Sequence, residues 1–390
     1  MKFNIFKILI LFLLSINFVN ASEIYDNNGQ KIDLYGILEI KNTVSKNNIK
    51  IPQQYRDTES NIILGLKGVT NIYNDIYSYA QIEYSLPIHQ VEINKDIYPS
   101  IRLGFIGVKF NHGNSSIDYG RNYGILYDVT SYMKKNSFFE KNFMYDKNDY
   151  FMFGRTNNLL TYRNKNFFGL IKGLNIALQY KNSDQNYDDN ENSLENSLEN
   201  SKQGWGTSIN YKIGNTGVSI SGAYFNVLKT IDKDKKIFSN TKKIFDNKNI
   251  NTYSIGAKYQ KNNIYLAAVL SSSYNGLKYT NFNSNDNGHL FAHKITNLEI
   301  IGQYKFDDNL KTTISYTQSQ GYDIPAGYHY LGGNIDLSKY ILINTMYKFN
   351  KNFSAYIGYR ISLLSNNNDY IKNNRIFNGN ILGIGITYNF

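Results

Sequence analysis

Leu382-Gly383-Ile384-Gly385-Ile386-Thr387-Tyr388-Asn389-Phe390 closes the chain with large apolar residues at every even position and small or polar residues between them. A period of two belongs to a β-strand, because successive side chains leave opposite faces of the pleat, so this segment has one dry face and one wet face. The same alternation recurs upstream at residues 32–44, 61–70, 76–86, 101–110, 116–120, 150–163, 174–182, 204–212, 217–227, 252–260, 264–273, 296–306, 311–319, 338–349 and 353–363. With the last run, at 379–390, there are sixteen, an even number.

The connections between these runs are unequal. Tight turns such as Gly214-Asn215-Thr216, Lys261-Asn262-Asn263 and Asp307-Asp308-Asn309 alternate with long polar stretches. A barrel that crosses an outer membrane has this asymmetry, with short turns on the periplasmic side and long loops outside. Aromatic residues gather beside the short turns, as in Tyr304-Lys305-Phe306 and Tyr347-Lys348-Phe349, with Tyr259 and Tyr265 flanking a third. Such rings suit a girdle at the membrane boundary, where the ring is apolar and the hydroxyl stays wet.

Composition agrees with this reading. The chain of 390 residues has 35 Tyr and 23 Phe against one Trp, and 29 Gly against 4 Pro, a profile of sheet with many turns. Mean hydropathy is −0.44 and no apolar run of helix-spanning length follows the first residues, which excludes a helical membrane protein. Cysteine is absent. An exported chain without disulfides relies on its architecture, and a closed sheet pairs every backbone group. Residues 1–21 read as an export signal: Lys2 and Lys7, an apolar core over residues 8–16, and Val19-Asn20-Ala21 as a small-residue cleavage site. Residues 22–390 then form a single barrel domain. The formal charge, +11 overall and +9 once Lys2 and Lys7 leave with the leader, invites a nucleic-acid reading. The lysines are scattered through Asn-rich loops with no basic helix or aromatic RNA-binding signature, so nucleic acid is set aside as a partner.

The opening of the mature chain, Ser22-Glu23-Ile24-Tyr25-Asp26-Asn27-Asn28-Gly29-Gln30-Lys31-Ile32-Asp33-Leu34-Tyr35-Gly36, resembles that of the trimeric general diffusion porins of enterobacterial outer membranes. The likeness continues in Ile101-Arg102-Leu103-Gly104-Phe105, Asp118-Tyr119-Gly120-Arg121-Asn122-Tyr123-Gly124, Thr161-Tyr162-Arg163-Asn164, Asn166-Phe167-Phe168-Gly169-Leu170 and Asn263-Ile264-Tyr265-Leu266-Ala267-Ala268. The terminal strand, with Tyr388 and Phe390, resembles the C-terminal signal by which outer-membrane barrels are recognised by the barrel-assembly machinery.

The resemblance implies an all-β, 16-stranded antiparallel transmembrane β-barrel, a homotrimer in outer-membrane lipid and lipopolysaccharide, passing small hydrophilic solutes without a cofactor. It implies a third loop, residues 122–150, folded inward to narrow the channel. Basic wall residues there face acids on the loop, and Arg102, Arg121 and Arg155 stand at matching wall positions. Opposed charges at a narrowing create a transverse field, and a ring of one sign favours the opposite ion. Two departures weaken that field: Ile37 and Ile63 replace a Lys and an Arg of the family, and the loop's acidic positions fall on Lys134 and Phe138, leaving Glu140 nearby. The expectation is a tilt toward anions, carried by Arg102, Arg155, Lys134 and Lys135 against Glu140. The resemblance also implies a latch between subunits, pairing Glu92 with Arg121.

Catalysis has little to stand on. Of His89, His112, His289, His293 and His329, none neighbours a Gly-x-Ser-x-Gly elbow. His289 and His293 have a zinc-like spacing of four, but Asn287-Gly288 argues against the helix that spacing needs. The repeat over residues 192–200 reads as slippage in a solvent-exposed loop. Two other readings stay open, a substrate-specific channel lined by an aromatic track and a surface adhesin in which conduction is incidental.

Overall fold

Each alternating run becomes a strand, and the strands pair in chain order until the sheet meets itself. The structure is a computed structural model and describes residues 23–27, 29–45, 60–88, 99–135, 149, 151–183, 203–228, 249–277, 292–324, 326, 331–365, 371 and 378–390. The strands are β1 (Glu23–Asn27), β2 (Gln30–Ser45), β3 (Asn61–Tyr73), β4 (Ile76–Pro87), β5 (Ser100–Phe110), β6 (Ser115–Tyr123), β7 (Arg155–Asn164), β8 (Leu174–Lys181) and β9 (Gly204–Lys212). They continue as β10 (Val218–Val227), β11 (Ile250–Lys261), β12 (Ile264–Tyr274), β13 (Lys294–Lys305), β14 (Leu310–Ile324), β15 (Gly333–Lys348), β16 (Phe353–Ser362) and β17 (Ile381–Asn389). Between β6 and β7 lie one helical turn, α1 (Tyr127–Thr130), and a 3-10 turn (Ser131–Met133).

Closure joins the two ends of the chain. Strand β17 pairs antiparallel with β2 from Ile381↔Ser45 to Asn389↔Ile37, while β1 pairs with the earlier part of β2 at Tyr25↔Ile32 and Asn27↔Gln30. Where one strand hands over to the other, Gly36 N donates to the Phe390 carbonyl at 2.9 Å and Phe390 N to the Gly36 carbonyl at 3.0 Å. The Phe390 ring lies over Gly36, where a Cβ would come within 2.2 Å of it. Thus β1 and β17 together form one stave, and the barrel has sixteen staves and no open edge.

The two faces have opposite chemistry. Ile255, Ile314, Ile357 and Ile384 are half exposed on the outside, while Ser254, Ser271, Asn297 and Ser319 on the inside are fully buried. In water each of those isoleucines would forgo roughly 1 kcal/mol of transfer free energy. An apolar exterior around a polar interior is therefore stable in lipid, not in water. At the short-turn end, Tyr304 and Phe306 meet edge to face at 5.1 Å and Tyr347 and Phe349 at 5.0 Å, all four pointing outward.

Several sequence expectations are corrected. The run at 150–163 is a strand only over Arg155–Asn164, because Phe151, Met152 and Phe153 leave the sheet and bury themselves inside the barrel, Phe153 edge-on to Phe225 at 5.1 Å. Strand β1 was not among the sixteen runs, since five mostly polar residues carry no readable period. Tyr265 does not join the girdle: it faces inward and is 4% exposed, since the register that sends Ile264 and Leu266 outward turns it to the interior. Residues 1–21, with the export signal, lie outside the described residues.

Candidate functional site

The interior is organised by the chain that follows β6. A bulge at Gly120 and Asn122 ends the regular pairing of β6 with β7. Gly120 takes φ +140°, and a Cβ there would lie 2.3 Å from the Gly104 carbonyl oxygen, so only glycine allows the bend. The chain then turns into α1, whose residues meet the inward faces of β9 to β11. The Asp128 carboxylate accepts from Arg163 Nη1 at 2.8 Å and from the Ser208 hydroxyl. The Tyr132 hydroxyl bonds with Ser221 and Asn210, and the Tyr132 carbonyl accepts from the Tyr265 hydroxyl at 2.7 Å. Burial pushes the Tyr132 phenol above its usual value, so it serves as a neutral hydrogen-bonding group. Val129 seats against Gly256, where a Cβ would approach its methyl to 2.9 Å. Ile125 and Leu126, fully buried, complete the apolar underside.

Lys134 and Lys135 follow directly. The Lys134 ammonium stands 4.8 Å from the Tyr127 ring and 5.7 Å from Tyr123, two rings stacked at 3.9 Å. Lys135 stands 4.8 Å from the inward ring of Tyr265. Each ammonium is held over a ring face, a geometry that fixes position without cancelling charge.

The wall of β2 to β5 differs. Arg102 Nε donates to Glu83 at 2.6 Å, and the other Glu83 oxygen accepts from the Tyr35 hydroxyl at 2.7 Å. Gln81 Nε2 donates in turn to Tyr35 at 2.6 Å. Ile37 and Ile63 are direct cross-strand partners and, with Arg102, line a cavity of about 640 Å³ that opens toward the short turns. Arg155 pairs with Tyr123 across β6 and β7, lies 6.0 Å from its ring and is within electrostatic reach of Arg102.

Arg121 does not join this wall. It shares the outward face of Ile117 and Tyr119, and it donates to the Ile101 carbonyl at 2.7 Å, to Asn157 at 3.0 Å and to both oxygens of Asp149. The bulge separates it from Asp118 and Asn122, which bond to each other at 2.9 Å on the inner face. Glu140 and Glu92 lie outside the described residues, as do His89, His289 and His329. His112, at the turn after β5, meets Asp75 at 3.1 Å, and His293 lies edge-on to Tyr274 at 5.9 Å. No group of three metal-binding side chains occurs among the described residues.

Four residues absent from the sequence expectation matter here. Glu83, Asp128, Arg163 and Lys258 each carry charge on the inner face. Strand parity marks Glu83, Arg163 and Lys258 as inward, whereas Asp128 lies in α1 and has no such signal; the partners in the two ion pairs lie 19 and 35 residues apart. Only the Thr161-Tyr162-Arg163-Asn164 block hinted at one of them.

Comparison with known proteins agrees with this architecture. A profile described as Gram-negative porin matches residues 27–390. Outer membrane protein F of Serratia marcescens is 39% identical, with all of both chains covered. A porin-like protein of Buchnera aphidicola from Schizaphis graminum is 36% identical over 95% of each chain. The solved structure of Salmonella typhi OmpF in complex with daunomycin is 33% identical, with a TM-score of 0.79, covering 95% of this chain and all of that one.

Proposed function

The chain belongs to the Gram-negative porin family, and on that premise we propose that residues 122–150 narrow its channel and that the narrowing favours anions. The coarser function is established: this is an outer-membrane protein whose water-filled barrel lets small hydrophilic solutes and ions diffuse passively. What supports the finer reading is the seat of α1 on the inner face, which brings Lys134 and Lys135 into the interior together with Arg102 and Arg155. Of the acids described on the inner face, Glu83 is engaged by Arg102 and Asp128 by Arg163, while Glu39 accepts from Tyr356 and Asp118 from Tyr79. Ile37 and Ile63 add no charge. Ammonium charge standing over rings on the inner face lowers the barrier for anions and raises it for cations. The test is the zero-current potential of the refolded protein in a planar bilayer under a KCl gradient. A potential of the sign set by chloride supports the reading, and one set by potassium overturns it.

The assembly belongs to the same proposal. Three copies form the working unit in outer-membrane lipid and lipopolysaccharide, and the terminal strand, with outward Tyr388 and with Phe390 seated on Gly36, serves as the address read by the barrel-assembly machinery. The latch between Glu92 and Arg121 of neighbouring subunits competes with the Arg121–Asp149 pair within the chain, and exchange between the two accompanies assembly. Conductance rising in steps of three supports the trimer.

A further inference from the structure

On the short-turn side of α1 the inner wall carries a set of donors that no acid answers among the described residues. The register of β9, β10 and β11 puts Lys212, Ser219 and Lys258 in one cross-strand row, Ser219 facing Lys212 on one side and Lys258 on the other. All three share the inward face, since Tyr211, Ile220 and Ile255 point outward. Neighbouring strands are about 4.8 Å apart, so the two lysines rise roughly 10 Å from each other with the serine hydroxyl between them. Lys258 has its ammonium 4.4 Å from the Tyr132 ring, and Lys135 and Lys212, both cations, lie within electrostatic reach of it. Lys135 closes the set from the loop, over Tyr265. Among the described residues no carboxylate contacts any of the three ammoniums.

Like charges gathered on one inner wall, with Lys258 half-buried and Lys212 exposed, repel one another, and the arrangement gains when an anion comes between them. Three ammoniums and a hydroxyl supply donors from several directions, which suits a compact tetrahedral oxyanion bearing two charges. We infer that Lys135, Lys212, Ser219 and Lys258 form a binding station for inorganic phosphate and phosphate monoesters, entered from the periplasmic side of the narrowing. The station rests on the reading of α1 and its flanks as the narrowing, but not on the channel's overall ion preference. A phosphate pausing there exchanges part of its water for the lysine ammoniums, so occupancy slows chloride while it lasts.

The experiment is single-channel recording in KCl with inorganic phosphate added, at mildly alkaline pH, to one side at a time. The expected result is a saturable fall in chloride current, stronger with phosphate on the short-turn side. Lys212→Gln with Lys258→Gln weakens the apparent phosphate affinity about tenfold, as removal of charged hydrogen-bond donors does, and Ser219→Ala weakens it about twofold. Lys135→Gln lies on the loop, leaves the strands untouched and gives the same direction if the double variant folds poorly. Phosphate block that is absent, or unchanged in both Lys212→Gln/Lys258→Gln and Lys135→Gln, overturns the station. The zero-current potential in plain KCl, measured on the same channels, reports the anion preference separately. A potassium-signed potential with lysine-dependent block removes the preference and keeps the station.

Discussion

The two sides of the interior differ in how their charges nearest the loop are held, although Lys67 and Lys109 of the β3 to β5 wall also stand 4.6 Å from rings, those of Tyr35 and Tyr79. Lys134 stands over Tyr127 beside β6, and on the side of β9 to β12 Lys135 stands over Tyr265 and Lys258 over Tyr132. On the side of β2 to β5 the arginine is bound to Glu83, and the neighbouring wall positions are Ile37 and Ile63. A ring face holds a cation and leaves its field in the channel, whereas a carboxylate at 2.6 Å cancels it. The resemblance implies a basic wall facing an acidic loop. Among the described residues here, the loop brings Lys134 and Lys135 to the interior.

The comparison breaks most completely if the loop loses its seat. Asp128→Ala strips the partner from Arg163 and the acceptor from Ser208, and costs about 2–3 kcal/mol, less than a fully buried pair because Arg163 remains partly solvated. A lowered midpoint in denaturant and a noisy open channel are the expected observations; a quiet channel of unchanged stability would mean that α1 is held elsewhere. Tyr132→Phe is a milder version, removing the hydroxyl from Ser221 and Asn210 at about 1 kcal/mol, readable in the same melts.

The contrast between the walls sharpens or fades with the isoleucines. Ile37→Lys with Ile63→Arg makes both sides basic, and the chloride-to-potassium permeability ratio rises by about twofold to threefold, the effect of a field change on the order of RT at this dielectric. Arg102→Ala moves the ratio the other way by a similar or smaller factor, because Glu83 keeps its charge and retains the Tyr35 hydroxyl. Zero-current potentials of the two variants should flank that of the parent; a shift of the same sign in both would contradict the assignment of these residues to the channel wall. The smallest effect needs no mutation. Raising KCl from about 0.1 to 1 M shortens the screening length from about 10 to about 3 Å, and the permeability ratios of parent and variants converge.

How much of this was readable beforehand depended on the range of the interaction. The alternation in Leu382 to Phe390 gives the faces of β17 residue by residue, because a strand's sidedness is local. The turn chemistry was equally local: Asn262 adopts φ 52° between β11 and β12, where an asparagine pair was read as a tight turn. Phe151 to Phe153 carry a strand-like pattern yet leave the sheet, because an apolar cluster inside a barrel and an apolar strand face look alike in one dimension. Tyr265 is ambiguous in sequence for a related reason, since an aromatic beside a turn can face lipid or lumen and only its register decides.

Strand period, turn positions, the inverted polarity of the barrel and its terminal phenylalanine were all determined by the sequence alone, since each follows from neighbours a few residues apart. The site's charge balance was decided only in the closed structure. Tyr132 meets Tyr265 across 133 residues and Arg163 meets Asp128 across 35, contacts created when the staves close and the loop settles on their inner faces. Whether a lysine is cancelled by a carboxylate or left standing over a ring depends on those distant partners, and the field in the channel follows from them.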